Sequence, residues 1–320
     1  MRVMVTGGLG VNGAWLAREL IERGHEVSVV ETRYDTTLIP DIADQVEVVV
    51  GDISDADGLT ASVRTLRPEV IVHLAAMVDC ERYPHLALDV NVKGTANVAT
   101  AALAADVRRV VYTSSKAVYA PATGRFGHPT YAPIAEDEHL GPIGMYGITK
   151  HASENVLAWY ARTTELECVS LRFGTIFGPG RLQRHSGPIN TYSSMIELPA
   201  SGQPFTLEQG GEEGDDLVYV LDVADSIATV ALAPEALRHP AYNIAAGHVT
   251  TLNTLGEAVR TAVPGADLTL GQGLNPMEQP DPYYMALDGS RIADELDWRP
   301  RFDIPAAVDH FVGLVRSRVA

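Results

Sequence analysis

The sequence contains little cysteine. Its 320 residues include only Cys80 and Cys168, and neither forms a CxxC pair or stands at a spacing typical of metal ligands. We therefore expect both to be free, buried thiols in a reducing compartment. No grouping of histidine, cysteine and carboxylate residues in the sequence indicates a metal site.

Basic residues are also few. The chain has 24 lysines and arginines against 41 aspartates and glutamates, which gives a formal net charge of −17. Proteins that bind nucleic acids depend on lysine and arginine to contact the phosphates, so we expect no nucleic-acid partner.

Long apolar runs are missing. No stretch approaches the ~20 apolar residues that a membrane-spanning helix needs. Residues 1–6 carry one charge and lead directly into a strand and a glycine loop, unlike a signal peptide. The sequence predicts a cytoplasmic protein with no membrane partner. The composition, 46% hydrophobic and 20% charged, is that of a globular protein, and the length suits one large α/β domain or a domain with a smaller lobe.

The most informative feature near the start is a glycine-rich turn. A β-branched strand over 3–6 is followed by the pattern T-G-G-x-G-x-x-G, a helix from Ala14 and a second strand over 27–30. In this context the glycines let backbone N–H groups approach a pyrophosphate at a helix N-terminus. We expect the turn to bind a dinucleotide through Gly7, Gly10, Val11, Asn12 and Gly13.

Glu31 closes the second strand, where a carboxylate accepts hydrogen bonds from an adenosine ribose and repels a 2′-phosphate. This favours NAD over NADP as the cofactor. Arg33 stands two residues further and would pair with a 2′-phosphate, so tolerance of NADP stays open.

Further cofactor candidates follow other predicted strands. Asp52 follows a strand over 46–50 and either bonds the adenine amino group, with Ile53 packed on the ring, or serves only as a turn residue. His73 lies within an apolar strand and is interpreted as a packed residue rather than a base. Small residues at the end of that strand allow a cofactor to lie close. The remaining candidates at strand ends are Leu74, Ala75, Ala76, Thr113 and Phe173.

Strands and helices alternate through six strands, which predicts an α/β fold with a Rossmann-type doubly wound parallel sheet. After residue 180 the pattern changes to loop signals, short strands and separate helices. We predict an NAD-binding domain over 1–175, to which 216–245 returns. A smaller, discontinuous substrate-binding lobe is predicted from 176–215 and 246–320.

Tyr146 and Lys150 stand four residues apart on a helix predicted over 142–160, so their side chains share one face. A lysine ammonium beside a phenol lowers the tyrosine pKa from its ordinary value of about 10. Such a tyrosine exchanges a proton with an alcohol or carbonyl near neutral pH. Ser115 is positioned upstream to hold the substrate oxygen.

Several motifs occur together and in order: TGGLGVNG at 6–13, NVKGTANV at 91–98, YTSSKAVYA at 112–120, YGITK at 146–150 and LRFGTIFGPG at 171–180. In these the sequence resembles the extended short-chain dehydrogenase/reductases, the NAD-dependent epimerase/dehydratase family. The resemblance implies that Tyr146 is the general acid/base, that Lys150 tunes it and bonds the nicotinamide ribose, and that Asn91 supports the strand–helix junction near the nicotinamide. It also implies a homodimer through helices near 91–105 and 146–161.

The substrate end departs from the family pattern. Thr175 stands where nucleotide-sugar enzymes usually have asparagine, and Asp215 stands where they have an arginine that clamps a diphosphate. An acid near two phosphates costs affinity. Arg181, Arg184 and His185 either bind another anion or are solvated loop charges. Met77 is a further substrate-binding candidate.

Three functions therefore stay open. The departures favour an NAD-dependent dehydrogenase of a small polyol, sugar or sugar acid that is not nucleotide-linked. The alternative is a nucleotide-sugar 4-epimerase or dehydratase with tightly bound NAD. A catalytically idle NAD sensor is disfavoured because it has no need of Ser115, Tyr146 and Lys150 together.

Overall fold

Short valine-rich strands alternate with helices through the first half of the chain. The structure is a computed structural model that describes residues 1–183 and 190–319. Strands buried on both faces favour β-branched residues at every position, which explains the near-continuous apolar runs. In chain order the elements are β1 (Arg2–Thr6), α1 (Val11–Glu22), β2 (Glu26–Glu31), β3 (Val46–Val50), α2 (Ala56–Leu66), β4 (Val70–His73), α3 (Pro84–Ala87), a π-helical turn (Leu88–Lys93), α4 (Gly94–Leu103), β5 (Arg109–Ser115), α5 (Met145–Thr163) and β6 (Glu167–Phe173).

The second half is built from shorter strands with separate helices. Its elements are β7 (Thr175–Phe177), α6 (Thr191–Ala200), β8 (Phe205–Leu207), β9 (Gly214–Asp215), β10 (Leu217–Tyr219), α7 (Val220–Leu232), β11 (Ala241–Ile244), β12 (Thr250–Thr251), α8 (Leu252–Ala262), β13 (Leu268–Leu270), α9 (Ser290–Leu296) and α10 (Ile304–Val319).

Seven parallel strands form the central sheet in the order β3-β2-β1-β4-β5-β6-β11. The chain builds outward from β1 in one direction and from β4 in the other. The predicted doubly wound α/β fold is confirmed. Its topological switch point lies between β1 and β4, where such sheets open a crevice at their carboxyl ends.

Both faces of the sheet are covered by helices. One face packs against α1 and α7, and the other against α2, α4 and α5. The three short strand pairs β7–β10, β9–β12 and β8–β13 lie outside the central sheet, and α6, α8 and α10 pack against one another. Strand β11 returns the late part of the chain to the edge of the sheet beside β6.

Several predicted element boundaries differ from the observed ones. The helix predicted from residue 91 is preceded by a π-helical turn, in which the Asn91 carbonyl accepts hydrogen bonds from the hydroxyls of Thr95 and Ser153 at 2.5 and 2.9 Å. The helix predicted from 142 begins only at Met145, because Gly144 has an extended backbone and serves as its N-cap residue. Within the described part of 181–215 there is one helix, α6, where two were predicted.

A buried polar network fixes α5 against the sheet. The Arg172 guanidinium of β6 donates to both carboxylate oxygens of Glu154 on α5, at 2.9 and 2.7 Å. It also donates to the Glu136 carbonyl at 2.6 Å and to the Tyr119 hydroxyl at 3.2 Å, which ties the loop before α5 into the same network. Among the described residues, no helix has the length and apolar character needed to cross a membrane.

Candidate active site

A cleft of about 1330 Å³ opens at the carboxyl ends of the central strands, at the switch point. Single small-molecule pockets usually measure about 300–1,000 Å³, so the cleft has room for a dinucleotide and a second ligand together. Its walls contain most of the residues predicted from the sequence: Gly7, Gly10, Val11, Asn12, Gly13, Glu31, Asp52, Ile53, Leu74, Ala75, Ala76, Met77, Thr113, Ser115, Tyr146, Lys150, Phe173, Thr175 and Arg181.

The glycine turn is shaped for a phosphate group. Gly7 has a φ of +71°, and a Cβ there would lie 2.7 Å from the Ala75 nitrogen, so no other residue fits. Gly10 is the N-cap residue of α1 and supplies no side-chain cap, which leaves backbone N–H groups of the first turn for a ligand. The Asn12 amide oxygen is buried without a hydrogen-bond partner. The uncapped N–H groups fit a dinucleotide pyrophosphate, whereas the Asn12 oxygen can only accept a hydrogen bond.

Glu31 and Asp52 line the end of the cleft that is predicted to bind the adenosine. Glu31 Oε1 accepts hydrogen bonds from the Thr32 backbone N–H and hydroxyl at 3.0 and 3.3 Å, and the residue lines the cleft beside Arg33. Asp52 Oδ1 accepts from the backbone N–H and hydroxyl of Ser54, both at 2.8 Å, so it does hold a turn. Because Asp52 also lines the cleft, a contact with adenine stays a prediction.

The three predicted catalytic residues face the same cleft. Ser115 is the last residue of β5, and Tyr146 and Lys150 lie in the first two turns of α5. Lys150 is buried and donates from Nζ to the Thr113 carbonyl at 2.7 Å, with Nζ 5.7 Å from the centre of the Tyr146 ring. Burial lowers the pKa of Lys150 to about 8.

Tyr146 is not acidified in the way that the sequence predicts. Burial raises the pKa of Tyr146 to about 12, against the opposing effects of the Arg181 charge and a hydrogen bond with Ser115. Desolvation of the phenolate is the largest effect and outweighs the lowering by Arg181 and Ser115. The prediction that Lys150 lowers the pKa of Tyr146 is therefore wrong when the protein's own groups are considered.

Two predicted residues support the cleft from behind. Asn91 does not line it: its side-chain amide accepts from the Met77 N–H at 2.8 Å and donates to the Met77 carbonyl and the Thr149 hydroxyl, both at 3.0 Å. It thereby joins the segment after β4 to α5. His73 lies between the hydroxyls of Thr6 and Thr95, at 2.7 and 3.0 Å, and burial lowers its pKa to about 3. The prediction that His73 is a packed strand residue is confirmed.

At the predicted substrate end of the cleft, Asp215 is not an unopposed acid. It is 2% exposed and forms an ion pair with Lys116, the residue after Ser115. Its other side-chain oxygen accepts from the Thr175 hydroxyl at 2.5 Å. The sequence analysis missed Lys116, although it stands within the YTSSKAVYA motif. Its partner is 99 residues away in the chain, so only the folded structure brings the two together.

Arg181 is buried in the cleft wall, and its Nε has no hydrogen-bond partner among the residues that the structure describes. Burial lowers the pKa of this guanidinium. Of the three candidates for anion binding after β7, it alone belongs to the described part of the chain, because Arg184 and His185 lie outside the described residues.

A phosphate-binding glycine turn at the switch point, with Ser115, Tyr146 and Lys150 in the same cleft, defines the class of short-chain dehydrogenase/reductases. The family model described as "NAD dependent epimerase/dehydratase family" matches residues 3–245, and the chain belongs to this family. It is therefore an NAD-dependent enzyme of the extended type, and NAD is its cofactor.

Individual relatives cover the whole chain. A UDP-glucose 4-epimerase of Mycolicibacterium smegmatis is 30% identical over 325 residues, 99% of each chain. A putative UDP-glucose 4-epimerase of Methanocaldococcus jannaschii is 26% identical, with 98% of each chain covered. Among solved structures, a UDP-glucose 4-epimerase of Thermotoga maritima with UDP-glucose has a TM-score of 0.87 at 23% identity and 100% coverage of both chains. A Thermus thermophilus UDP-glucose 4-epimerase with NAD has a TM-score of 0.81 at 25% identity and 99% coverage of both.

Proposed function

We propose that this enzyme epimerises a nucleoside-diphosphate sugar at a secondary alcohol, with NAD retained through the cycle. The observation that carries the proposal is the convergence of Ser115, Tyr146 and Lys150 on one cleft that also contains the glycine turn. The whole-length similarity to UDP-glucose 4-epimerases supports a nucleotide-linked substrate. It favours this alternative over the polyol, sugar or sugar-acid substrate that the sequence analysis placed first.

The protein groups have distinct parts in the proposed reaction. Tyr146 takes the proton of the sugar hydroxyl and later gives it back, while the Ser115 hydroxyl holds the substrate oxygen. NAD, when bound, supplies a reversible hydride acceptor. Lys150, anchored on the Thr113 carbonyl at 2.7 Å, holds the ribose of the cofactor beside Tyr146.

The cofactor is held along the strand ends. The glycine turn, with Val11 and Asn12, holds the pyrophosphate, Glu31 holds the adenosine ribose, and Asp52 with Ile53 contacts the adenine. The small residues after β4, with Thr113 and Phe173, form the wall behind the nicotinamide. In this assignment residues 1–175 and 216–245 serve mainly NAD, and the remaining segments serve mainly the substrate.

Arg181 is the cation proposed for the substrate diphosphate. Its side chain is 8% exposed and its Nε has no hydrogen-bond partner in the structure. A buried guanidinium N–H without an acceptor is costly, and an anionic ligand that accepts from it offsets that cost. Arg181 would thus supply the positive charge that family members usually carry at the position of Asp215.

The test is turnover of UDP-glucose, UDP-galactose and the corresponding thymidine compounds without added cofactor. We expect the epimeric sugar to appear, as measured by NMR, with no net formation of reduced nicotinamide. Tyr146→Phe should lower kcat by at least about 100-fold, since it removes the general acid/base. Tyr34→Phe is the matched control, because Tyr34 is 66% exposed and is not among the residues that line the cleft.

A dehydrogenase of a free polyol, sugar or sugar acid is the second candidate, favoured by the acid at Asp215. Titration calorimetry with UDP and TDP separates the two. A nucleotide-sugar enzyme binds the bare nucleotide. Stoichiometric reduction of NAD by a free alcohol, without nucleotide binding, would instead establish the dehydrogenase.

The proposed enzyme is a cytoplasmic homodimer. Both cysteines are free and buried, which suits a reducing compartment. On α5, one of the helices predicted to form the interface, the apolar side chains of Ile148 and Trp159 are 40% and 52% exposed, and just before the other predicted helix Leu86 and Leu88 are 51% and 44% exposed. Ile148→Asp with Trp159→Asp should yield a monomer by light scattering, whereas Tyr34→Asp, at an exposed aromatic residue elsewhere, should not. A monomeric wild-type protein would contradict the proposal.

A further inference from the structure

A polar cluster lies in the cleft wall next to the catalytic serine. We call it the Lys116 cluster; it comprises Lys116, Thr175, Tyr192 and Asp215. Lys116 and Thr175 line the cleft, and the Lys116 side chain is 12% exposed. Because Lys116 directly follows Ser115, the cluster lies within reach of the substrate whose oxygen Ser115 holds.

The hydrogen bonds of the cluster have a fixed direction. The Asp215 carboxylate accepts from Lys116 Nζ, the Thr175 hydroxyl at 2.5 Å, the Tyr192 hydroxyl at 3.4 Å and the backbone N–H groups of Asp216 and Met285 at 3.0 and 3.3 Å. An ionised carboxylate has no proton to donate. The Thr175 hydroxyl therefore donates its only hydrogen to Asp215.

This arrangement determines what the cluster can offer a ligand. Towards the cleft, the Thr175 hydroxyl is an acceptor only. Lys116 is a donor only, with three N–H groups, one of which is used by Asp215. The two oxygens of one carboxylate hold the ammonium and the hydroxyl side by side.

The charge of the cluster points to the same kind of ligand. The Lys116 and Asp215 charges cancel, so a diphosphate gains little attraction there. A phosphate oxygen would also face the lone pairs of Thr175, which is repulsive. A neutral hydroxyl satisfies both residues, since it accepts from Lys116 and donates to Thr175.

We propose that Lys116 and Thr175, positioned by Asp215, form a subsite for a hydroxyl of the substrate's sugar and not for its phosphates. The proposal deepens the proposed function and rests on it for the nucleotide-linked form of the substrate. Asp215 is a positioning residue, whereas Lys116 and Thr175 contact the substrate. Asp215 thus supports sugar recognition at the position where the family pattern implies an arginine suited to phosphate.

The test compares binding of a nucleotide sugar with binding of the bare nucleotide. Lys116→Met and Thr175→Val should each raise the KM for the sugar nucleotide by about tenfold, the size of one lost hydrogen bond to a charged or committed group. The affinity for bare UDP, measured by calorimetry, should change less than about twofold, since the lost partners are bonded to the sugar. Thr65→Val, at an exposed threonine of α2, is the matched control and should change neither.

Folding is checked separately, because Lys116→Met leaves Asp215 buried without its cation. The double variant Lys116→Met, Asp215→Asn removes both charges together, and its KM should rise as in Lys116→Met. Equal weakening of UDP and of the sugar nucleotide would overturn the proposal in favour of a phosphate clamp. Unchanged KM in folded variants would overturn it in favour of a purely structural pair.

A wild-type protein that binds no nucleotide would contradict the proposed function but not the subsite. The same variants are then assayed with the free sugar or polyol that the wild type oxidises. A raised KM there supports the subsite. An unchanged KM, or a wild type that uses no sugar of either kind, overturns it.

Discussion

At the scale of single residues, opposing effects act on the Tyr146 phenol. Burial disfavours its anion, and the positive charge of Arg181 favours it. An enzyme that removes a proton from an alcohol needs the anion, so residues that add positive charge near the phenol matter beyond their contacts with substrate.

Arg181→Met should therefore shift the acidic limb of the pH profile of kcat towards higher pH. Loss of the cation raises the pKa of Tyr146, and a higher pH is then needed to form the phenolate. Arg181→Lys keeps the charge and should move the limb much less. An acidic limb at the same pH in Arg181→Met would show that this charge does not act on the catalytic proton.

His73 makes a second prediction at this scale, on stability. Burial lowers its pKa in the folded protein to about 3, from an ordinary value near 6.5. The unfolded chain therefore binds a proton that the folded chain does not, and the free energy of unfolding falls as the pH drops from about 6.5 towards about 3. His73→Gln should reduce this slope by up to one proton, as measured by urea unfolding at several pH values. An identical slope in wild type and variant would contradict the buried neutral state.

At the scale of elements, the placement of α5 decides whether Tyr146 and Lys150 face the cleft. A bidentate ion pair between Glu154 and Arg172 joins α5 to β6. The Glu154 and Arg172 side chains are 8% and 6% exposed. Removing one member leaves the other charge buried without a partner.

Glu154→Ala should accordingly lower the free energy of unfolding by about 3–5 kcal/mol, as measured by urea denaturation. The double variant Glu154→Leu, Arg172→Met removes both charges and should recover much of the loss. Asp137→Ala, which removes an 83% exposed partner of Arg291, should cost far less. Equal costs for the Glu154 and Asp137 variants would argue against a structural part for the buried pair.

At the scale of the whole molecule, one cofactor would contact the ends of several strands at once. NAD at about 100 times its Kd should raise the free energy of unfolding by about 2.7 kcal/mol, because it binds only the folded chain. NADP should stabilise less, since Glu31 repels a 2′-phosphate. Thermal unfolding with each cofactor measures both effects.

Glu31→Ser should reduce the difference between the two cofactors by removing that repulsion, while Arg33 remains to pair with the phosphate. Gly7→Ala should abolish stabilisation by either cofactor, because its Cβ would collide with Ala75. Greater stabilisation of the wild type by NADP than by NAD would contradict the interpretation of Glu31.

The local patterns of the sequence determined much of the fold. Valine-rich strands that alternate with helices require a parallel sheet with both faces covered, and a glycine turn between strand and helix marks its binding edge. Periodicity and turn preferences depend on residues that are close together in the chain, so they can be recognised in the amino-acid sequence. Boundaries were less accurate where a side chain competes for a backbone group, as Thr95 and Ser153 do at the Asn91 carbonyl.

Long-range pairing and burial were decided only by the tertiary structure. The sequence placed Tyr146 beside Lys150 and so predicted an acidified phenol, but it could not report that burial would outweigh the charge. The sequence showed Asp215 as an acid at a position where the family pattern implies contact with a substrate diphosphate. Only folding brings Lys116, 99 residues away in the chain, into contact with it. The strength of a charge depends on the solvent and partners around it, and those are properties of the folded molecule rather than of neighbours in the chain.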